Sequence, residues 1–132
     1  DQLHAMRIGH GTSSIQDKAL QKALIDRNIA LEQCLTSNHQ TGSWVDVATH
    51  PMGELFRRGV PVTIGSDDPF IQDADLTDDY VLAHENFGFT TDDFRLANLT
   101  ALRCAFLPAA ERVALIRGHE ERFDSFLADL KD

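Results

Sequence analysis

Two adjacent carboxylates, Asp67 and Asp68, stand in the run Ser66-Asp67-Asp68-Pro69 directly after the apolar stretch Val60–Ile64. Neighbouring residues at a strand end project in different directions, so one can hold a divalent cation while the other binds a substrate. Like charges side by side raise each other's proton affinity, and a bound metal relieves that. The same pair before a proline also reads as a turn or a helix entry. His10 lies between Gly9 and Gly11, whose missing side chains let a ligand come close. A neutral imidazole there can orient or deprotonate a water; it reads equally as a hydrogen-bonded structural histidine. Ser37, Asn38 and His39 make a third polar group, suited either to supporting hydrogen bonds around a site or to an ordinary polar loop.

Elements that could position these groups follow from the hydrophobic pattern. Leu3–Ile8 reads as a strand ending at Gly9-His10-Gly11, and Ile29–Leu35 as a second strand that gives way to a long loop at Thr36-Ser37-Asn38-His39. Val60–Ile64 is the third, with Pro61 tolerable near its start. Between the first two, Ile15, Ala19, Leu20, Ala23 and Leu24 recur at helical spacing, which predicts one amphipathic helix over 15–27. His50-Pro51 opens a short helix closed by Gly59. After Pro69 the pattern is helical to the end: 76–87, 91–106 with Thr90 or Thr91 as cap, and 108–130. His10, Ser37 and Asp67 are roughly thirty residues apart, the spacing of βα units. Strands joined by helical crossovers are parallel, so all three polar ends are expected at one edge, where α/β sheets and barrels bind ligands. The fold class read here is α/β, in a single domain spanning 1–132.

Composition narrows the partners. With 42% hydrophobic and 25% charged residues the chain resembles a soluble globular domain. Twelve Lys plus Arg against 21 Asp plus Glu, a net charge of −9, disfavours nucleic acid and anionic membranes; a small neutral ligand suits it better. No apolar run approaches a membrane span. Cys34 and Cys104 lack C-x-x-C spacing and read as buried small hydrophobes in a reducing compartment, which points to the cytoplasm. Asp1 begins no recognisable signal peptide and reads as an internal start. His4, His50, His84 and His119 form no metal-ligand pattern and read as surface or capping residues. Trp44 and Phe70 read as pocket-lining or packing residues, and the stripe Phe94, Leu96, Leu99, Leu102, Phe106 as core. Serine-hydrolase elbows, Walker loops and dinucleotide fingerprints are absent from the sequence.

Taken together, Arg7-Ile8-Gly9-His10-Gly11, Leu31-Glu32-Gln33-Cys34-Leu35-Thr36-Ser37-Asn38 and Ser66-Asp67-Asp68-Pro69 resemble, in order and spacing, the R-[IV]-G-H-G, L-E-x-C-P-T-S-N and [ST]-D-D-P motifs of adenosine deaminases. His50-Pro51, Gly59-Val60 and Phe106-Leu107-Pro108 look similar too. The resemblance implies the last three βα units and closing helices of a (β/α)8 TIM barrel, about its final two-fifths. It implies a zinc-dependent hydrolase that converts adenosine or a related 6-aminopurine to the 6-oxo product with release of ammonia. The position of Asp67 ligates the metal, that of Asp68 binds the purine substrate, and that of His10 is catalytic, acting on the water that zinc activates. The family draws its remaining zinc ligands and a proton-donating glutamate from H-x-H and H-A-x-E motifs, and neither pattern occurs in this sequence. Zinc is therefore the expected cofactor, a purine nucleoside and the N-terminal part of the barrel the expected partners, and residues 1–132 alone are expected to be inactive. Adenine or an aminofutalosine-type nucleoside is the alternative substrate, and a non-catalytic half-barrel module the alternative role. Leu35 departs from the family's proline.

Overall fold

A computed structural model describes residues 4–129. Three parallel strands form one sheet in the order β1 (Arg7–Gly9), β2 (Ala30–Gln33), β3 (Val62–Ile64), with Ile8 level with Leu31 and Leu31 level with Val62. The expected strands and their shared direction are therefore present, shorter than the apolar runs suggest. Leu3, placed at the start of the first strand from sequence, lies outside the described residues.

Helix α1 (Lys18–Asp26) begins later than the apolar spacing predicts, because Thr12–Gln16 winds into a tighter 3-10 turn and Asp17 then caps α1. The Asp17 carboxylate accepts from the backbone N–H groups of Ala19 and Leu20 at 2.9 and 3.0 Å, an arrangement worth about 1 kcal/mol. The segment Thr36–His39, expected as loop, belongs to a short helix α2 (Leu35–Gln40). Leu35 stands at its first position, where proline is also accommodated because that N–H has no partner within the helix. The departure from the family pattern thus leaves the local conformation intact, and the Leu35 side chain is buried.

Helix α3 (Met52–Arg57) precedes β3, and α4 (Pro69–Gln72) follows it. Helices α5 (Leu76–Phe87) and α6 (Thr91–Arg103) each start with a capping box, Asp75 with Asp78 and Thr90 with Asp93. The last helix, α7 (Ala109–Asp129), buries none of its residues and is tied to α6 through Arg95, which pairs with Asp124 at 2.9 Å. The core unites Leu31, Val62, Leu24, Leu35, Met52, Leu55, Ala83, Phe87 and Phe89, so one side of the sheet is sealed by α1, α3 and α5. Gly53 lets α3 meet α5 closely, since a Cβ there would lie 2.9 Å from Phe87.

Three side-chain expectations change. The stripe from Phe94 to Phe106 is core only in part: Leu99 is buried, whereas Leu96 on α6 and Phe106, beyond its end at Arg103, are exposed. Phe106 instead lies under Arg7, whose guanidinium carbon is 3.9 Å from the ring centre. Phe70, in the single turn α4, is 98% exposed and so does not pack. His50 is buried rather than superficial, for reasons given below. Cys34 and Cys104 are free and buried, as expected. Among the described residues no helix is long and apolar enough to cross a membrane.

Candidate active site

The three polar groups do meet at the C-terminal edge of the sheet. Asp67 is the hub: the Ser37 hydroxyl donates to its Oδ2 at 2.7 Å, and His10 Nε2 lies 3.8 Å from the same oxygen. Oδ1 accepts no hydrogen bond from the described residues and the side chain is 44% exposed, so the carboxylate keeps an oxygen free for a cation. His10 and Asp67 both leave their strands in the left-handed region, with φ of 56° and 58°. Such backbone costs on the order of 1 kcal/mol or more outside glycine and persists where surrounding structure enforces it.

For His10 that enforcement is visible. Its N–H donates to Glu32 O at 2.8 Å, its carbonyl accepts from the Gln33 side-chain amide, and Gly11 follows with φ 66°. A Cβ on Gly11 would come within 2.9 Å of Leu31 Cδ2, whereas one on Gly9 would meet nothing within 4 Å, so glycine is needed at 11 for its left-handed backbone and its packing on Leu31. The buried His10 Nδ1 has no partner. Asp68 caps α4 in position only: it is exposed and its carboxylate makes no hydrogen bond among the described residues, so it remains available to a ligand beside Asp67.

Support for this edge comes from β2 and α2, where Gln33, Thr36, Ser37 and Asn38 are all buried. Ser37 serves Asp67, while Asn38 faces His50 Nε2 at 2.8 Å and its carbonyl accepts from Trp44 N–H. The Met52 N–H donates to His50 Nδ1 at 3.2 Å. Asn38 Nδ2 is the atom that faces Nε2, and a neutral ring has only one accepting nitrogen, so the Met52 N–H and the Asn38 amide nitrogen cannot both donate to it unless the amide turns its oxygen to the ring. Burial, with a smaller contribution from His10, lowers the His50 pKa to about 4, which keeps the ring neutral. His39 is exposed and contacts only the Val45 carbonyl through Nδ1.

Asp79 on α5 was not singled out by sequence, yet it is 0% exposed and accepts from the Thr36 N–H at 3.0 Å through Oδ1. Burial raises its pKa, against the opposing effect of the backbone N–H groups of Thr36 and Leu35. Its signal was its place: Asp79, Ala83 and Phe87 recur every four residues along the buried face of α5, and a carboxylate on such a face needs a partner. Burial and the nearby Asp67, Asp79 and Glu32 charges push the Cys34 thiol up to about 12, so it offers no thiolate at neutral pH.

Among the described residues no three His, Cys, Asp or Glu side chains converge on one point. The donor set is a single oriented carboxylate with an imidazole beside it, which fits a share of a zinc site and not the whole of one. A wide hollow of about 1040 Å³ lies elsewhere, at the other end of β1 among Met6, Ile8, Leu20, Leu24, Ile29 and Cys104.

A family model described as adenosine deaminase matches residues 1–121. An adenosine deaminase of Escherichia coli O1:K1 is 40% identical over 114 residues, covering 86% of this chain and 34% of that protein. The adenosine deaminase of Yersinia pseudotuberculosis serotype IB is 38% identical with the same coverage. This chain thus spans about a third of the curated relatives' length. Among solved structures, an adenine deaminase from Arthrobacter aurescens superposes with a TM-score of 0.85 at 23% identity over 97% of this chain and 38% of that one. An amidohydrolase from Burkhoderia ambifaria with bound Zn superposes equally well, at 24% identity over 98% and 36%. These two likenesses show the fold. With the family model covering nearly the whole sequence and its motif residues gathered at one sheet edge, the chain belongs to the adenosine deaminase family.

Proposed function

We propose that residues 1–132 form the C-terminal portion, within one domain, of a zinc-dependent purine deaminase built on a (β/α)8 barrel, and that the complete protein replaces the 6-amino group of adenosine, or of a related 6-aminopurine, with an oxo group. The observation that carries this reading is the Asp67 carboxylate held between Ser37 and His10, with Asp68 next in the chain. Water supplies the new oxygen at C6 and the amino group leaves as ammonia. When bound, zinc lowers the pKa of a water toward neutrality.

Each residue then has a task its position permits. Asp67 offers its free oxygen to the metal, and Ser37 fixes the carboxylate's rotation. His10 holds or moves a proton at Nε2, the nitrogen that faces Asp67. Asp68, exposed and unbonded, accepts from or donates to a purine ring nitrogen. The remaining ligands and the ring-protonating acid must come from outside these residues, so the chain by itself is inactive. Two buried free cysteines suit a reducing cytoplasm. The relatives' names, adenosine and adenine deaminase, agree on chemistry at C6 and differ in what N9 carries.

The test is made in the full-length protein. Asp67→Ala is expected to lose zinc and turnover together, whereas wild-type zinc content and turnover in that variant would refute the assignment. His10→Ala should lose about 10²-fold or more in turnover while keeping zinc. A panel of 6-aminopurines with and without ribose settles the substrate, and inactivity of every member in a folded, zinc-loaded protein would favour a non-catalytic module.

A further inference from the structure

Asp79 has no evident reason to be a carboxylate if it merely packs. Its neighbours along the buried face of α5 are Ala83 and Phe87, and leaving an unmatched polar group there costs on the order of 1–3 kcal/mol. Among the described residues its Oδ2 and the buried Thr36 Oγ1 make no hydrogen bond. Its Oδ1 reaches 43 residues back, to the Thr36 N–H in the first turn of α2. Helix α2 is six residues long and contains Thr36, Ser37 and Asn38, residues with weak helix propensity, and one this short does not hold its shape unaided. The next residue after Thr36 is Ser37, whose hydroxyl is bonded to Asp67.

We infer that Asp79 is a positioning residue for the metal-binding carboxylate: by anchoring the first turn of α2 it sets the Ser37 hydroxyl, and the hydroxyl sets the rotation of Asp67. The inference rests on the reading of Asp67 as a metal ligand. Groups that orient a ligand in this way typically change metal affinity 10- to 100-fold when removed. An asparagine at 79 keeps the acceptor for Thr36 N–H and adds a donor that Thr36 Oγ1 can take, so the role belongs to hydrogen bonding and not to charge.

The experiment compares Asp79→Ala, Asp79→Asn, Ser37→Ala and the Asp79→Ala/Ser37→Ala double variant in the full-length protein. Zinc affinity is read by competition with a chelator, and amide hydrogen exchange at Thr36 and Ser37 is read in the metal-free protein. Asp79→Ala is expected to weaken zinc about 10-fold and to speed exchange at Thr36. Asp79→Asn should stay within about twofold of wild type in both, and the double variant should bind zinc no worse than Ser37→Ala alone, since both act through one hydroxyl. Should Asp79→Ala not fold, Asp79→Ser, too short to reach Thr36, takes its place. Unchanged zinc affinity in a folded Asp79→Ala or Asp79→Ser protein, or fully additive losses in the double variant, would overturn the inference. Failure of the underlying reading has a different signature: Asp67→Ala would then bind zinc normally while the exchange change at Thr36 persisted.

Discussion

The two ends of these three strands are built by opposite rules. At the C-terminal ends polar side chains are buried and drawn into hydrogen bonds, Gln33 to the His10 carbonyl, Ser37 to Asp67, Asn38 to His50 and Asp79 to Thr36, while Gln33 Oε1, Thr36 Oγ1 and Asp79 Oδ2 find no partner among the described residues. Towards the other end, beside β1 and α1, apolar side chains are left in the open: Met6, Ile8 and Leu20 are each about two-fifths exposed and border the hollow there. Burying polar groups is costly unless each finds a partner, so the first end is where the chain spends stability on placing atoms. Clustered exposed apolar groups mark surfaces that become covered, which accords with a chain that spans a third of its relatives. The contrast separates the end proposed to do chemistry from an open apolar flank.

The sharpest way to break that contrast is through pH. His50 titrates near 4 in the folded chain against an ordinary 6.5, because it is buried and because His10 repels its charge. As pH falls below 6.5 the unfolded chain takes up this proton first, so the contribution is complete above 6.5 and lost progressively towards 4. At about 1.36 kcal/mol per pH unit the loss approaches about 3 kcal/mol. Denaturant titrations of the full-length protein at pH 7 and pH 4 should show this difference shrink in His50→Gln; an unchanged difference would show that His50 is not held neutral by burial.

A smaller effect is expected at Gln33, whose side chain is 0% exposed and donates to the His10 carbonyl. Gln33→Ala strands that carbonyl and should cost about 1–3 kcal/mol, measured as a shift in the denaturation midpoint. A cost near zero would mean that the polar end is not tightly matched. Smallest is the flank: with Ile8 as open as it is here, Ile8→Gln should change stability by no more than about 0.5 kcal/mol in the chain alone. In the full-length protein a cost of about 1 kcal/mol or more would reveal that the flank is covered there. Equal, negligible costs in both would remove the second half of the comparison.

Much of this arrangement was legible in the sequence because it depends on local pattern. Apolar runs ending in His10, Thr36 and Ser66-Asp67 marked the strands, their spacing marked parallel neighbours, and Thr90 announced its helix. What escaped depends on partners far away in the chain. Thr36-Ser37-Asn38 reads as loop from propensity and becomes helix with Asp79 bonded across 43 residues. His50 reads as a surface cap, and indeed its Nδ1 caps Met52, but Asn38 draws the ring into the interior. The helix expected from Ile15 is split at Asp17, whose extended backbone ends the 3-10 turn and whose carboxylate caps α1. At the candidate site, residue types pointed to Asp67, Asp68 and His10, while the Ser37 hydrogen bond that distinguishes Asp67 from Asp68 required three-dimensional neighbours.

The central claim is that this sheet edge contributes Asp67 to a metal centre. It is tested most directly by anomalous scattering at the zinc edge from crystals of the full-length, zinc-loaded protein. The account predicts a peak about 2.0–2.2 Å from an Asp67 carboxylate oxygen, with Ser37 bonded to the same carboxylate and Asp68 turned away from the metal. Zinc bound at a distance from Asp67, with His10 and Ser37 still closed around an uncoordinated carboxylate, would contradict it.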